Sequence, residues 1–135
     1  DNVIFLDKKD QKININEYNG NLLILNFWAT WCEPCKEEMP SLDKLQANPE
    51  LDKLKIFAIN IGKETLDKVN KFFIDLNIKN FEPYFDPPTT LAKMFSLRGV
   101  PTTILINKEG QEFARVIGSI DFEDKNFVNW IKKYN

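Results

Sequence analysis

Residues 22–35 read Leu22-Leu23-Ile24-Leu25-Asn26-Phe27-Trp28-Ala29-Thr30-Trp31-Cys32-Glu33-Pro34-Cys35. The first seven form an apolar run interrupted only by Asn26, the pattern of a central parallel strand covered on both faces. Cys32 follows at once, and a helical pattern runs to about Ala47, with Met39, Leu42 and Leu45 at spacing three on one face. A Cys-x-x-Cys between a strand and a helix start reads as a redox pair. At or just before the first helical turn, unpaired backbone N–H groups and the helix dipole stabilise a thiolate on Cys32. Cys35 lies one turn further, close enough to attack a mixed disulfide held on Cys32. Pro34 falls in the first turn, where its missing N–H costs nothing. Half of a zinc site is the competing reading, but the chain has no third Cys and no His to complete one.

Working outward, 135 residues suit one compact domain, expected over 1–135. The chain is 43% apolar, with eleven Phe and three Trp, so a real core forms without a structural disulfide and the cysteines are free for chemistry. The net charge is −2, with acids and bases interspersed; no basic stripe points to nucleic acid. No apolar run approaches the roughly 18 residues of a membrane span. The absence of histidine excludes Cys–His catalysis, Ser–His–Asp triads and His-ligated zinc.

Short β segments are expected at Val3–Leu6 and Lys12–Ile15, forming an N-terminal hairpin, and longer ones at Leu54–Ile61, Thr102–Asn107 and Gln111–Ile117. Phe81–Phe85 reads as a further short strand. Leu66, Val69, Phe73 and Leu76 make a helix stripe. Asp86 or Thr89 caps a helix over Leu91–Leu97, and Asp121 caps a last one carrying Phe127, Val128, Ile131 and Tyr134. Pro40, inside the first helix, should bend it. Alternating strands and helices imply a mostly parallel sheet between helical layers, with a closing antiparallel hairpin.

The segment Trp28–Cys35 resembles the active-site stretch of the thioredoxin superfamily. Extended through Lys36-Glu37-Glu38-Met39-Pro40-Ser41-Leu42, it is similar to the TlpA/ResA/CcmG branch. The likeness includes Phe57–Ile61 and Arg98-Gly99-Val100-Pro101-Thr102-Thr103, and the run Glu38–Gln46 is most similar to TlpA-like sequences. The resemblance implies a three-layer α/β/α fold with a central mixed sheet and an N-terminal hairpin extension, and protein-disulfide oxidoreductase activity without a cofactor. It implies a cis peptide at Val100-Pro101 facing the dithiol, with the preceding backbone free to pair with an extended substrate. It also implies that Glu38, on the same helix face as Cys35, assists proton transfer. Ordinary thioredoxins carry a buried Asp where this chain has Asn26, so Glu38 stands alone in that role. As a half-exposed helix residue it should tolerate Glu38→Gln within about 0.5 kcal/mol.

Cys32 should be the more exposed thiol and Cys35 the more buried. Trp31, Glu33, Pro34 and Val100 are the expected substrate contacts, with Trp31 exposed; Trp28 has a packing reading at least as strong. An acid at Glu33 disfavours the neighbouring thiolate, which leaves the disulfide relatively more stable and the dithiol a better reductant. Lys36 offsets part of this. From the resemblance, the partners are protein disulfides of an exported, periplasm-like space: apocytochrome c, or proteins of copper-site assembly. A DsbD- or CcdA-like membrane protein would supply electrons. A membrane anchor outside this chain and a monomeric state are expected. Two other readings stand beside this one. In a copper-binding module, the thiolates would bind Cu(I) with Met39 or Met94 as third ligand. The other is a redox-inert interaction domain, against which both intact cysteines argue. The Pro-x-x-x-Thr/Ser-x-x-Cys loop of related peroxidases is absent.

Overall fold

The apolar run Leu22–Trp28 lies inside a seven-stranded sheet in a computed structural model that describes residues 2–135. In chain order the strands are β1 (Ile4–Leu6), β2 (Lys12–Asn14), β3 (Leu22–Trp28), β4 (Leu54–Ile61), β5 (Pro83–Asp86), β6 (Thr102–Ile106) and β7 (Glu112–Ile117). The helices are α1 (Glu33–Gln46), α2 (Leu66–Asp75), α3 (Thr90–Met94) and α4 (Lys125–Ile131). Short 3-10 turns cover Ile15–Tyr18 and Lys132–Tyr134. The spatial order is β2-β1-β5-β4-β3-β6-β7.

Successive side chains of a strand point to opposite faces. On β3, Leu22, Ile24 and Trp28 therefore pack with Met39 and Leu42 of α1, Phe72 and Phe73 of α2 and Ile131 of α4. Leu23, Leu25 and Phe27 pack on the other face with Phe5, Phe57 and Leu91 of α3. Every β3 residue is buried, as a strand sandwiched between two layers requires. Truncating a core leucine such as Leu25 to Ala would cost about 2–5 kcal/mol. The same alternation turns the one polar β3 residue, Asn26, toward α1.

The expectation of a mostly parallel sheet holds only for β3–β4–β5. The other four pairings, β1–β2, β1–β5, β3–β6 and β6–β7, are antiparallel. Hairpin connections are antiparallel of necessity, and β6 enters beside β3 from the opposite end of the sheet. This pairing sets Asn26 opposite Thr103.

Of the two caps offered for α3, Asp86 is the one that serves, and two helix boundaries differ from the sequence reading. Thr89 occupies the N-cap position of α3 in a left-handed conformation and makes no side-chain cap; the buried Asp86 carboxylate instead accepts from the Leu91 and Ala92 N–H groups at 2.9 and 3.3 Å. That helix stops at Met94 rather than Leu97. Ser96 takes a φ of 53°, and the Leu97 N–H closes back onto the Ala92 carbonyl, the geometry that ends a helix. The last helix is capped by Asp124, which accepts from Phe127 N–H at 3.1 Å, and not by Asp121. Phe122 explains the delay: its ring is fully buried and its N–H donates to Ser41 Oγ, which pulls Asp121–Glu123 out of helical register.

Candidate active site

The turn Ala29–Trp31 leaves the carboxyl end of β3 and delivers Cys32 as the N-cap of α1. Cys32 and Cys35 form a disulfide with their Cα atoms 5.3 Å apart. The Cys35 N–H donates to Cys32 Sγ at 3.2 Å, so a free helix-terminal donor already points at this sulfur. The same geometry stabilises negative charge there once the bond is reduced. Cys32 is 4% exposed and Cys35 is fully buried. The expected order therefore holds, but both sulfurs lie below the surface and only an edge of Cys32 is open.

Around this edge, Trp31 is 71% exposed, and Glu33 and Pro34 are exposed on the first turn of α1. Glu33 and Lys36 stand 3.8 Å apart as a solvated ion pair. Val100-Pro101 is a cis peptide. The Val100 carbonyl oxygen lies 3.6 Å from Cys32 Sγ, which brings the loop before β6 onto the dithiol. Trp28 is fully buried and stacks on Phe72 and Phe73 at 4.6 and 5.6 Å between ring centroids, a packing residue.

Glu38 is not half-exposed: its side chain lies between α1 and the sheet, and the residue is 2% exposed. Helical spacing carries it inward on the face of Cys35, Met39 and Leu42. Asn26 Nδ2 donates to its Oε1 at 2.9 Å and the Ile120 N–H to its Oε2 at 3.2 Å. Asn26 Nδ2 also donates to Thr103 Oγ1 at 3.0 Å. Burial pushes the Glu38 carboxyl up to about 7, against the downward pull of the Asn26 amide and the Ile120 N–H. Asn26, which the sequence presents only as a missing acid, is thus the residue that holds Glu38. Its remaining acceptor, Oδ1, is buried without a partner among the described residues.

A second carboxylate escaped the sequence reading. Glu64, in the loop after β4, accepts from the Thr30 N–H at 2.7 Å, from the Thr30 hydroxyl, and from Asn60 Nδ2 at 2.8 Å. Lys68 stands 3.3 Å away. Thr30 and Glu64 are 34 residues apart, so no local pattern joins them. Only the folded parallel register, which pairs Trp28 with Asn60, brings the two strand ends together. The two methionines weighed as copper ligands separate: Met39 is buried in the α1-side core, whereas Met94 is on α3, across the sheet.

The model of the AhpC/TSA family matches residues 2–111 of this chain. The chain is 31% identical over 121 residues to the thiol-disulfide oxidoreductase ResA of Geobacillus kaustophilus, covering 90% of this chain and 68% of that protein. To ResA of Bacillus subtilis it is 30% identical over 132 residues, covering 97% and 73%. Among solved structures, it is similar to StoA from Bacillus subtilis, with a TM-score of 0.75 and 25% identity over 98% of this chain and 96% of that one. A Chlorobium tepidum protein assigned as thiol:disulfide interchange protein DsbE superposes with a TM-score of 0.85 at 23% identity, covering 99% and 93%, a likeness of fold.

Proposed function

The chain belongs to the AhpC/TSA family as a ResA-like thiol–disulfide oxidoreductase, and on that premise we propose that its dithiol reduces disulfides of exported proteins, with Cys32 as nucleophile and Cys35 as resolving thiol. The observation that carries the roles is the placement of Cys32 Sγ: it caps α1, receives the Cys35 N–H, and alone of the pair reaches the surface.

In the reductive direction, the Cys32 thiolate attacks one sulfur of a substrate disulfide. The other substrate sulfur leaves as a thiolate and takes up a proton. Cys35 then loses its proton, and its thiolate attacks Cys32 Sγ. The substrate departs as a dithiol, the Cys32–Cys35 disulfide forms, and two electrons have passed to the substrate. Cys35 is wholly buried, so its proton needs an internal acceptor. Glu38, one helical turn away with a carboxyl near 7, suits that task at neutral pH. The Asn26 carboxamide serves either state of Glu38: Nδ2–H faces the carboxylate, and after rotation Oδ1 would face the acid.

Trp31, Glu33 and Pro34 offer exposed contacts to the substrate, and the Val100 backbone beside Pro101 offers an edge for an extended peptide. The acidic Glu33 beside Cys32 favours the reducing direction. Substrates of this class are apocytochrome c or copper-site assembly proteins, and a DsbD- or CcdA-like membrane donor would restore the dithiol. The setting is a periplasm-like compartment, with the chain held to the membrane by a segment outside it. The chain acts as a single domain and a monomer.

A Cys35→Ser variant, expressed in the native organism with its natural export signals, tests this reading. Mixed disulfides with exported cysteine proteins are expected. Recovery of cytosolic proteins only would overturn the exported assignment. Trapping by Cys32→Ser in place of Cys35→Ser would reverse the roles of the two thiols.

A further inference from the structure

Glu64 touches neither cysteine, yet its carboxylate meets the chain two residues before the nucleophile. Its side chain is 6% exposed. Oε1 accepts from the Thr30 backbone N–H and from Asn60 Nδ2, and Oε2 accepts from the Thr30 hydroxyl and faces Lys68. These donors come from the end of β4, from the first turn of α2, and from the turn that leaves β3. Within that turn Ala29 is packed in the core, but Trp31 is exposed and the Cys32 N–H reaches back to the Ala29 carbonyl at a long 3.3 Å, so the clamp on Thr30 is the polar contact that ties the stretch between them. Burial alone would raise this carboxyl, but the hydrogen bonds from Thr30 and Asn60, with Lys68, hold it below its ordinary value, so it remains an acceptor at neutral pH.

We propose that Glu64 is a positioning residue for thiol–disulfide exchange: its carboxylate clamps Thr30 and so holds the Thr30–Trp31 turn in the geometry that seats Cys32 at the N-terminus of α1. The proposal rests on Cys32 being the attacking thiol. Without the clamp the turn loosens, Cys32 spends less time in register with the helix N–H groups, and its thiolate loses their stabilisation. The sign is opposite to that of a simple field effect. Removing a nearby negative charge would by itself favour the thiolate; removing the clamp disfavours it.

The test is the rate of Cys32 alkylation by iodoacetamide against pH in the fully reduced protein, with the modified cysteine identified by peptide mass. Glu64→Ala is expected to slow alkylation at neutral pH by roughly tenfold and to move the profile to higher pH by about one unit. Glu64→Gln keeps the Oε1 acceptor for Thr30 N–H and Asn60, and should recover most of the rate. Should Glu64→Ala fail to fold, Thr30→Val removes only the hydroxyl and carries the test, with a smaller slowing in the same direction. An unchanged profile in the variant that carries the test overturns the clamp. Faster alkylation in Glu64→Ala and Glu64→Gln alike replaces it with a field effect. If the label falls on Cys35, the nucleophile assignment fails, whatever the rates.

Discussion

Two glutamates, one buried and one half-buried, stand near the dithiol, and their surroundings drive them apart. Glu38, under α1, receives one amide and one backbone N–H, and burial dominates: its carboxyl rises to about 7. Glu64, beside the turn before Cys32, receives two hydrogen bonds from Thr30 and one from Asn60 and lies near Lys68; its carboxyl falls below the ordinary value. Desolvation acts on both. What separates them is both the depth of burial, greater at Glu38, and the number of donors that meet the charged form, greater at Glu64. Two carboxyls with opposite tuning can therefore divide the work, one exchanging a proton and the other holding a shape.

The largest expected effect removes what both carboxyls serve. Cys32→Ser should reduce insulin-reductase activity to the uncatalysed background while Glu64, which touches neither cysteine, keeps its titration, measured by carboxyl NMR. A Glu64 carboxyl that shifted with the loss of Cys32 would show Glu64 and the dithiol to be one coupled system.

Next in size is the chemistry of Glu38. Glu38→Gln should lower reductase activity by about a hundredfold, in the range for loss of a general acid–base group. It should also remove the step near pH 7 from the alkylation profile of the dithiol. An equal loss in Glu37→Gln, on the exposed side of α1, would replace proton transfer with general electrostatics.

Stability should then show the two glutamates with opposite signs. The folded Glu38 carboxyl titrates near 7 and its ordinary value is 4.5. Between these, the folded state holds a proton that the unfolded state has released, so stability falls as pH rises through this window. The gap amounts to roughly 3 kcal/mol, complete above about pH 7. In urea titrations across this range, Glu38→Gln should lose that slope and be more stable than the parent at alkaline pH. Glu64 runs the other way. Its contribution is present above its ordinary value of 4.5 and is lost as pH falls through its lower folded value. Glu64→Gln should flatten the acid limb of the same titration. Parallel slopes in the two variants would abolish the distinction. The smallest effect belongs to Glu37→Gln, expected within about 0.5 kcal/mol of the parent at every pH.

Much of this site was legible because its chemistry is local in the chain. Cys32 and Cys35 are one helical turn apart, Pro34 marks the helix start, and the Val100-Pro101 pair stands directly before an apolar strand. Glu38 was legible as a residue on the Cys35 face, but its burial was not. Helical spacing gives a direction and does not say how deep the groove is; that depth comes from β3 and from the Ile120 loop, 82 residues further along. The cap of α4 failed for a related reason: Asp121 has the right chemistry, and only the buried Phe122 moves the helix start to Asp124.

The amino-acid sequence by itself determined the apolar strand, the dithiol at a helix start, the absence of any histidine or second cysteine pair, and with them the class of chemistry. These follow from spacing and composition, which act over a few residues. Tertiary structure alone decided the antiparallel entry of β6 beside β3, the grip of Asn26 on Glu38, and the meeting of Thr30 with Glu64. The first and the last depend on strand register and the second on how α1 seats on β3, and together they join residues from 12 to 77 positions apart. A carboxyl's proton affinity depends on the donors and the dielectric at its own oxygens, and those are supplied by the fold.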